Sequence, residues 1–446
     1  MPAQDLDALR AFRTVLHHCA YRRADALFEL VDALVSAEAV TSWPALSLQA
    51  THRRSWGSLY DALAEGRFDV AALQALLMHH AAPDAPRVYA VDLSVWPRCD
   101  AEASPDRGFY YHPSRHSASQ PIVAGWAYQW LAQLSFTRDS WTTPLDVCRV
   151  HPTENANVVA IVQIAGLISR LPAGEATPLF VFDAGYDSVQ VTQGLEKLPV
   201  AILVRLRADR CFYADPTLAP PSPKGGRPRQ HGAKFACKDP ATWPEPTAEH
   251  RVEDEQYGTV RVRAWTGLHP KQHVHPDRGT RKTRPIVRGT VVLVEVSRLP
   301  VRSYPPQVLW LWWAGAGALD LDLLWRAYVH RFDLEHTLRF CKQSLGWTTP
   351  RVRHPAQADR WTWLVVAAYT QLRLARSWVV DRRLPWERPL EPGTLTPSRV
   401  RRALSALLPV VGTPARAPKP CGRSPGRPHG SRSGRATRYP VLKKAA

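Results

Sequence analysis

The stretch "TPLFVFDAGYD" (residues 177–187) decides the fold. Four apolar residues, Leu179 to Phe182, stop at Asp183, and Gly185 follows two positions on. A short apolar run bounded by turn residues reads as a strand buried on both faces, as strands of a parallel α/β sheet are. Upstream, "TENANVVAIVQIAGLISRL" (153–171) reads as an amphipathic helix with Thr153 as its N-cap. Downstream, "SVQVTQGLEKL" is a helix and "VAILVRLR" a second buried strand. Further upstream, "RVYAVDLSVW" (87–96), "GFYYHPS" and "PIVAGWAYQWLAQLSF" read as consecutive strands. Strands, then helix, strand, helix, strand predict an α/β domain with helices covering the sheet.

The rest of the chain is arranged around that domain. Residues 1–82 carry apolar positions at helical spacing and no strand-like alternation, and "APDAPR" then breaks the pattern. The first part of the α/β domain spans 83–207. From 208 to 305 the chain is Pro/Gly-rich and basic, then β-like in "GTVRVRAWTG" and "PIVRGTVVLVEVSRL", which predicts a β-rich insertion. The domain resumes over 306–391, beginning with the β-like "PQVLWLWWAG" and including the helical "ADRWTWLVVAAYTQLRLAR". From 392 to 446 there are twelve Lys and Arg and no acid, among Pro, Gly and Ser, which predicts a basic disordered tail.

Composition narrows the partners. Of 446 residues, 45% are hydrophobic, enough for a folded interior. The 58 Lys and Arg against 39 Asp and Glu give +19, and such an excess points to a polyanion, because cations that neutralise phosphates release condensed counterions. The longest apolar stretch, "VLWLWWAGAGALDLDLLW", is interrupted by Asp320 and Asp322, so no membrane span is expected. The start, "MPAQDLDALR", has early acids and no apolar block after them, unlike a signal peptide. Seven scattered cysteines with no CxxC fit reduced thiols, and a cytoplasmic location is the expectation.

Three carboxylates could carry chemistry. Asp92 lies at or near the end of the first strand, Asp183 ends "LFVFD", and Glu335 lies in "YVHRFDLEHTLRFCK" (328–342). Open α/β sheets place their sites beyond the carboxyl ends of strands, so Asp92 and Asp183 could share one crevice. Three carboxylates meeting there would hold two Mg²⁺ ions about 4 Å apart, suited to phosphodiester displacement. The plainer readings are that Asp92 caps a loop, Asp183 starts a turn with Gly185, and Asp187 favours a helix N-terminus. In the 328–342 run, Tyr328, Arg331, Glu335 and Lys342 fall within an arc of roughly 60° at about 100° per residue. Arg331 and Glu335 alone would be an ordinary i,i+4 pair.

The layout resembles the RNase H-like DDE transposases of bacterial insertion sequences. Tyr328, Arg331, Glu335 and Lys342 match the Y-(2)-R-(3)-E-(6)-K signature of one subgroup at every spacing, and "AVDLSVWPR", "FVFDAGYD" and "RFDLEHTLRFCKQSLGW" resemble the corresponding blocks. The resemblance covers about 87–380. It implies that Asp92, Asp183 and Glu335 are the catalytic, metal-binding triad, with two Mg²⁺ ions that Mn²⁺ could replace. It also implies that Tyr328, Arg331 and Lys342 contact DNA phosphates, and that 1–82 is the DNA-binding region. The expected partner is double-stranded DNA, as transposon inverted-repeat ends and target, bound by a homodimer. The expected activity is cleavage at the ends and strand transfer. The rivals are a nuclease without strand transfer and a domesticated, inactive DNA-binding protein.

In the resembled subgroup the Tyr–Arg–Lys trio clamps a flipped nucleotide, which predicts a hairpin intermediate. An extruded base needs an aromatic platform, and Trp265 is the candidate, with Trp243 the alternate; the plainer reading of either is a Trp packed within the β-rich insertion. His269, His273 and His275 in "HPKQHVH" invite a zinc reading, but they lack Cys or acidic partners at ligand spacing, which favours an exposed or phosphate-facing loop. The Gly-Arg-Pro triplets in "GGRPRQHG" and "SPGRPHG" can enter a minor groove, yet arise easily in basic low-complexity sequence. "SRHSASQP" pairs Ser with His without an oxyanion-hole or nucleophile-elbow pattern.

Overall fold

The structure, a computed structural model, describes residues 4–111, 121–172, 174, 176–216, 230–271, 286–300, 308–391, 393–420, 426, 428–432 and 434–443. The N-terminal stretch forms α1 (Gln4–His18), β1 (Ala20–Arg22), α2 (Ala24–Ser36), α3 (Trp43–Ser47), α4 (Trp56–Glu65), β2 (Arg67–Phe68) and α5 (Val70–His79). Then come β3 (Val88–Pro97), β4 (Gly108–Tyr111), β5 (Ile122–Leu134), β6 (Thr142–Val150), α6 (Ala156–Ile168), β7 (Leu179–Phe182), α7 (Ser188–Leu195) and β8 (Ala201–Leu206). The stretch read as an insertion gives β9 (Cys211–Tyr213), β10 (Lys234–Ala236), β11 (Ala248–Asp254), β12 (Gly258–Pro270) and β13 (Gly289–Val296). The chain ends through β14 (Val308–Gly315), α8 (Leu321–Gln343), α9 (Pro355–Ala375) and α10 (Pro397–Val411).

These elements make a mixed α/β fold in two compact units. The first comprises Met1–Asp84, Leu93–Asn155 and Asp333–Ala446, and the second Ala85–Asp92 and Ala156–Phe332. Strand β3 and helix α8 each contribute residues to both.

The second unit holds a large mixed sheet. Strands β3, β7 and β8 run parallel, with Val91 opposite Phe182 and Phe182 opposite Val204. All of β7 is buried, which is why its sequence shows no polar alternation. Beyond β8 the sheet turns antiparallel through β14, β13 and β12, with β11 on β12 and β9 linking β12 to β10. The β-rich stretch therefore extends the sheet of β7 and β8 and shares their unit. Its interior is aromatic: Phe212 stacks on Trp312 at 5.4 Å, and Trp265 packs among Phe235, Trp243 and Trp310. Gly289 has no room for a side chain, since a Cβ there would meet Trp312 at 2.3 Å.

The first unit is built on α9. Nearly every side of this 21-residue helix is buried, so it shows little amphipathic contrast and is packed all round by α1, α2, α4, α10 and β6. Helices α1 to α5 therefore share one interior with α9 rather than forming a body of their own. Trp347 anchors a second cluster, 5.0 Å from Trp130 and 5.7 Å from Tyr128, and its indole N–H donates to Thr362. Arg13 binds Asp32 through two hydrogen bonds of 2.6 and 2.9 Å in the buried interior, and donates to Gln371 and the Gly412 carbonyl.

Two expectations need correction. Helix α6 starts at Ala156, and Thr153 instead faces His151, with hydroxyl and ring nitrogen 2.7 Å apart. The tail expected to lack structure from 392 contains α10, whose Val400, Ala403, Leu404, Leu408 and Val411 are buried. Arg399 donates to the Asp381 carboxylate and Arg402 to that of Glu387, while Arg401 donates to the Leu34 and Glu38 carbonyls of the N-terminal helices and the turn after them. The chain end also returns to β4, where Leu442 N–H donates to the Arg107 carbonyl at 2.7 Å. Among the described residues no helix is long and apolar enough to cross a membrane.

Candidate active site

In the second unit, pairing of β3 with β7 ends at Val91 and Phe182, and the next residues are Asp92 and Asp183. Neighbouring strands lie about 4.8 Å apart, so the two acids leave adjacent backbones at the point where β7 stops. Strand β3 itself runs five residues further, so Asp92 is inside its strand rather than at its end. Both side chains are half-buried. The Gly185 N–H donates to Asp183 Oδ1 at 2.9 Å, which fixes one carboxylate oxygen by a local turn. A Cβ on Gly185 would come within 3.0 Å of that oxygen, so glycine keeps the approach open. Asp187 is committed elsewhere. It caps α7 by accepting from the Val189 and Gln190 N–H groups, as the plainer sequence reading has it.

Next to this turn a cavity of about 500 Å³ opens between the start of α7 and the end of β8. Arg207, Arg210 and Lys271 line it together with Asp187 and Asp209, which gives the second unit a strongly charged recess a few residues from Asp183.

Helix α8 carries the remaining candidates. Tyr328 is 2% exposed and Arg331 3% exposed, with the guanidinium 5.6 Å from the Tyr328 ring and 5.1 Å from that of Phe332. Burial pushes the Tyr328 phenol above its ordinary value, against the pull of the Arg331 and Arg205 charges. The sequence reading missed Arg205; its signal is a lone cation in the otherwise apolar β8. Within α8, Phe332, His336, Arg339 and Gln343 are the exposed positions near the signature, so for Tyr328 and Arg331 the polar stripe lies under cover. A spacing rule identifies a shared face but not whether water reaches it. Glu335 and Lys342 are half-buried and lie on the part of α8 that belongs to the first unit, where the Lys342 ammonium is 5.7 Å from the Trp347 ring.

Trp265 is 2% exposed, its indole N–H donates to the Pro244 carbonyl at 2.8 Å, and its ring faces neighbouring aromatics. It is a core residue here, with no free face for a base. Trp243 is half-buried beneath Arg263, whose guanidinium is 5.4 Å from its ring. His269 is buried with its ring nitrogens 3.1 and 3.2 Å from the Pro270 and Ala214 carbonyl oxygens. His273, His275, the 114–120 part of the Ser/His stretch, the Gly-Arg-Pro at 226–228 and Arg427 of the second one lie outside the described residues.

The strand pairing thus places Asp92 and Asp183 one residue beyond the last paired positions of neighbouring backbones. Two half-buried carboxylates on adjacent strands are hard oxygen donors that fit a divalent cation. Among the described residues no group of three or more His, Cys, Asp or Glu is gathered at ligand spacing.

The mixed α/β sheet with its covering helices is compatible with the RNase H-like class of nuclease domains. A family model described as DDE superfamily endonuclease matches residues 11–271, more than half of the chain. The chain belongs to that family, whose members act on DNA and generally use divalent metals. The matched region contains Asp92 and Asp183 and ends ahead of α8. No curated protein matches the chain.

Proposed function

We propose that this endonuclease is a DNA transposase that cleaves at transposon ends and joins the freed end to target DNA. The observation that carries the reading is the pair Asp92 and Asp183 on adjacent parallel strands. They would hold divalent cations, Mg²⁺ with Mn²⁺ able to substitute, and Glu335 would complete the set by the family resemblance. Bound there, the cations would lower the pKa of water and neutralise charge on the reacting phosphate.

Cleavage then forms a bond from water oxygen to phosphorus while the bond to the 3′ oxygen breaks, leaving a 3′-OH and a 5′-phosphate. In the second step that 3′-OH attacks a target phosphodiester and displaces its 3′ oxygen, so the number of phosphodiester bonds is conserved. The protein supplies position and charge. Lys342 is a candidate phosphate contact. Tyr328 and Arg331 would reach phosphates only by leaving their present cover when DNA binds. A homodimer joining two ends, action in the cytoplasm at the nucleoid, and a hairpin stage belong to the same reading. For the hairpin, Trp243 is now the better platform of the two tryptophans.

The test is incubation of the whole chain with duplexes bearing the sequences that flank its gene, a target plasmid and Mg²⁺. Cleavage followed by joined products supports the transposase. Cleavage without joining marks a nuclease, and binding without cleavage marks an inactive DNA-binding protein. Denaturing gels would show whether a hairpin accumulates.

A further inference from the structure

The first unit carries a basic groove that the catalytic reading does not use. It has a volume of about 680 Å³ and lies at the N-terminus of α9, lined by Arg67, Asp106, Arg149, His354, Ala356 and Arg360. A helix N-terminus bears about half a positive charge and usually has acids in its first turn. The first turn of α9 has none. The two acids nearby are already engaged. Asp359 accepts from Tyr128 at 2.7 Å and from Arg149 at 3.0 Å, and Asp106 lies 3.7 Å from both Arg149 and His151. Glu65, close to Arg67 in sequence, is held by Arg22 and Arg23.

Among the described residues neither Arg67 nor Arg360 hydrogen-bonds a carboxylate, although the Asp359 charge acts on Arg360 from one residue away. Arg67 donates to the Glu65 and Gly66 carbonyls, and Arg360 to those of Leu63 and Ala64, so both guanidiniums are oriented by neutral groups that cancel no charge. Burial, together with the charge of Arg67, holds the Arg360 guanidinium below its ordinary value. Exposed Arg353 directly precedes His354, which lines the groove. Like charges held together beside a helix N-terminus are a cost in the free protein that an anion removes.

We propose that this groove docks the phosphate backbone of duplex DNA independently of sequence, at a place separate from Asp92 and Asp183. The inference rests on the proposed action on DNA. A backbone fits better than a free small anion, because the cations line an open groove rather than an enclosed cavity.

The experiment measures binding of the full chain to a random-sequence duplex over a range of salt concentrations. Each lost phosphate contact should lower the slope of log affinity against log salt by about 0.9. Arg67→Gln combined with Arg353→Gln should therefore reduce the slope by roughly 1–2, and weaken binding about tenfold near 0.1 M salt. Ala356→Glu is the complementary variant. It places an acid in the first turn of α9, so the melting temperature should hold or rise while DNA affinity falls. Unchanged slopes in both variants would overturn the proposal. Loss of the wild-type advantage in low-millimolar inorganic phosphate would assign the groove to a small anion and overturn it as well. If wild-type protein fails to cleave end DNA yet shows these slope changes, the transposase reading falls and the groove stands.

Discussion

Asp183 and Arg331 are both polar groups set among apolar residues, yet they meet their surroundings differently. The carboxylate is half-buried where β7 stops, while the guanidinium is almost wholly covered in α8. Strand pairing ends at a definite residue, and whatever follows is released at the rim of the sheet. A helix has no such rim along its length, and neighbours can cover any face. A chemical group after a buried strand is therefore a better guide to a site than one of equal pattern strength inside a long helix.

The largest test of that difference is at the strand rim. Asp92→Asn and Asp183→Asn should each lower cleavage of an end duplex by on the order of a thousandfold or more, with DNA affinity nearly unchanged. Arg331→Gln should behave in the opposite way, lowering the melting temperature before it lowers affinity. Normal stability with selective loss of DNA binding at Arg331 would break the comparison.

That contrast also explains what was legible in the sequence. Strands β3, β5, β7 and β8 and helices α6, α7 and α9 stand where apolar runs and turn residues put them. The pair Asp92 and Asp183 was readable because each follows directly on a buried β run. Helix α10 was missed because the absence of acids over 392–446 outweighed the helical spacing of Val400, Leu404, Leu408 and Val411, and because carbonyl partners for Arg401 come from residues more than 350 positions away. The burial of Tyr328 and Arg331 was unreadable, and that of Trp265 undecided between packing and a platform, for the same reason, since cover comes from tertiary neighbours and leaves no local mark.

A second helix-borne guanidinium sharpens the point, with its partner in view. Arg13→Ala would strip the buried Asp32, whose carboxyl burial already pushes above its ordinary value, of its cation, and should cost about 3–5 kcal/mol in chemical denaturation. Within the β-rich stretch, Trp265→Ala should cost about 3 kcal/mol or more and Trp243→Ala distinctly less, because only the first ring is fully enclosed. Equal costs would mean that burial does not separate their roles. The smallest effect is expected at Asp187→Ala, about 1 kcal/mol from the lost cap of α7, with cleavage otherwise retained.

The central claim is that Asp92 and Asp183 together make a cation site. Electron paramagnetic resonance of Mn²⁺ titrated into the DNA-free protein tests it without relying on activity. The account predicts that wild-type protein depletes the free-ion signal and that Asp92→Asn combined with Asp183→Asn, folded by circular dichroism, no longer does so. Mn²⁺ binding of the same stoichiometry and affinity in that double variant would contradict it.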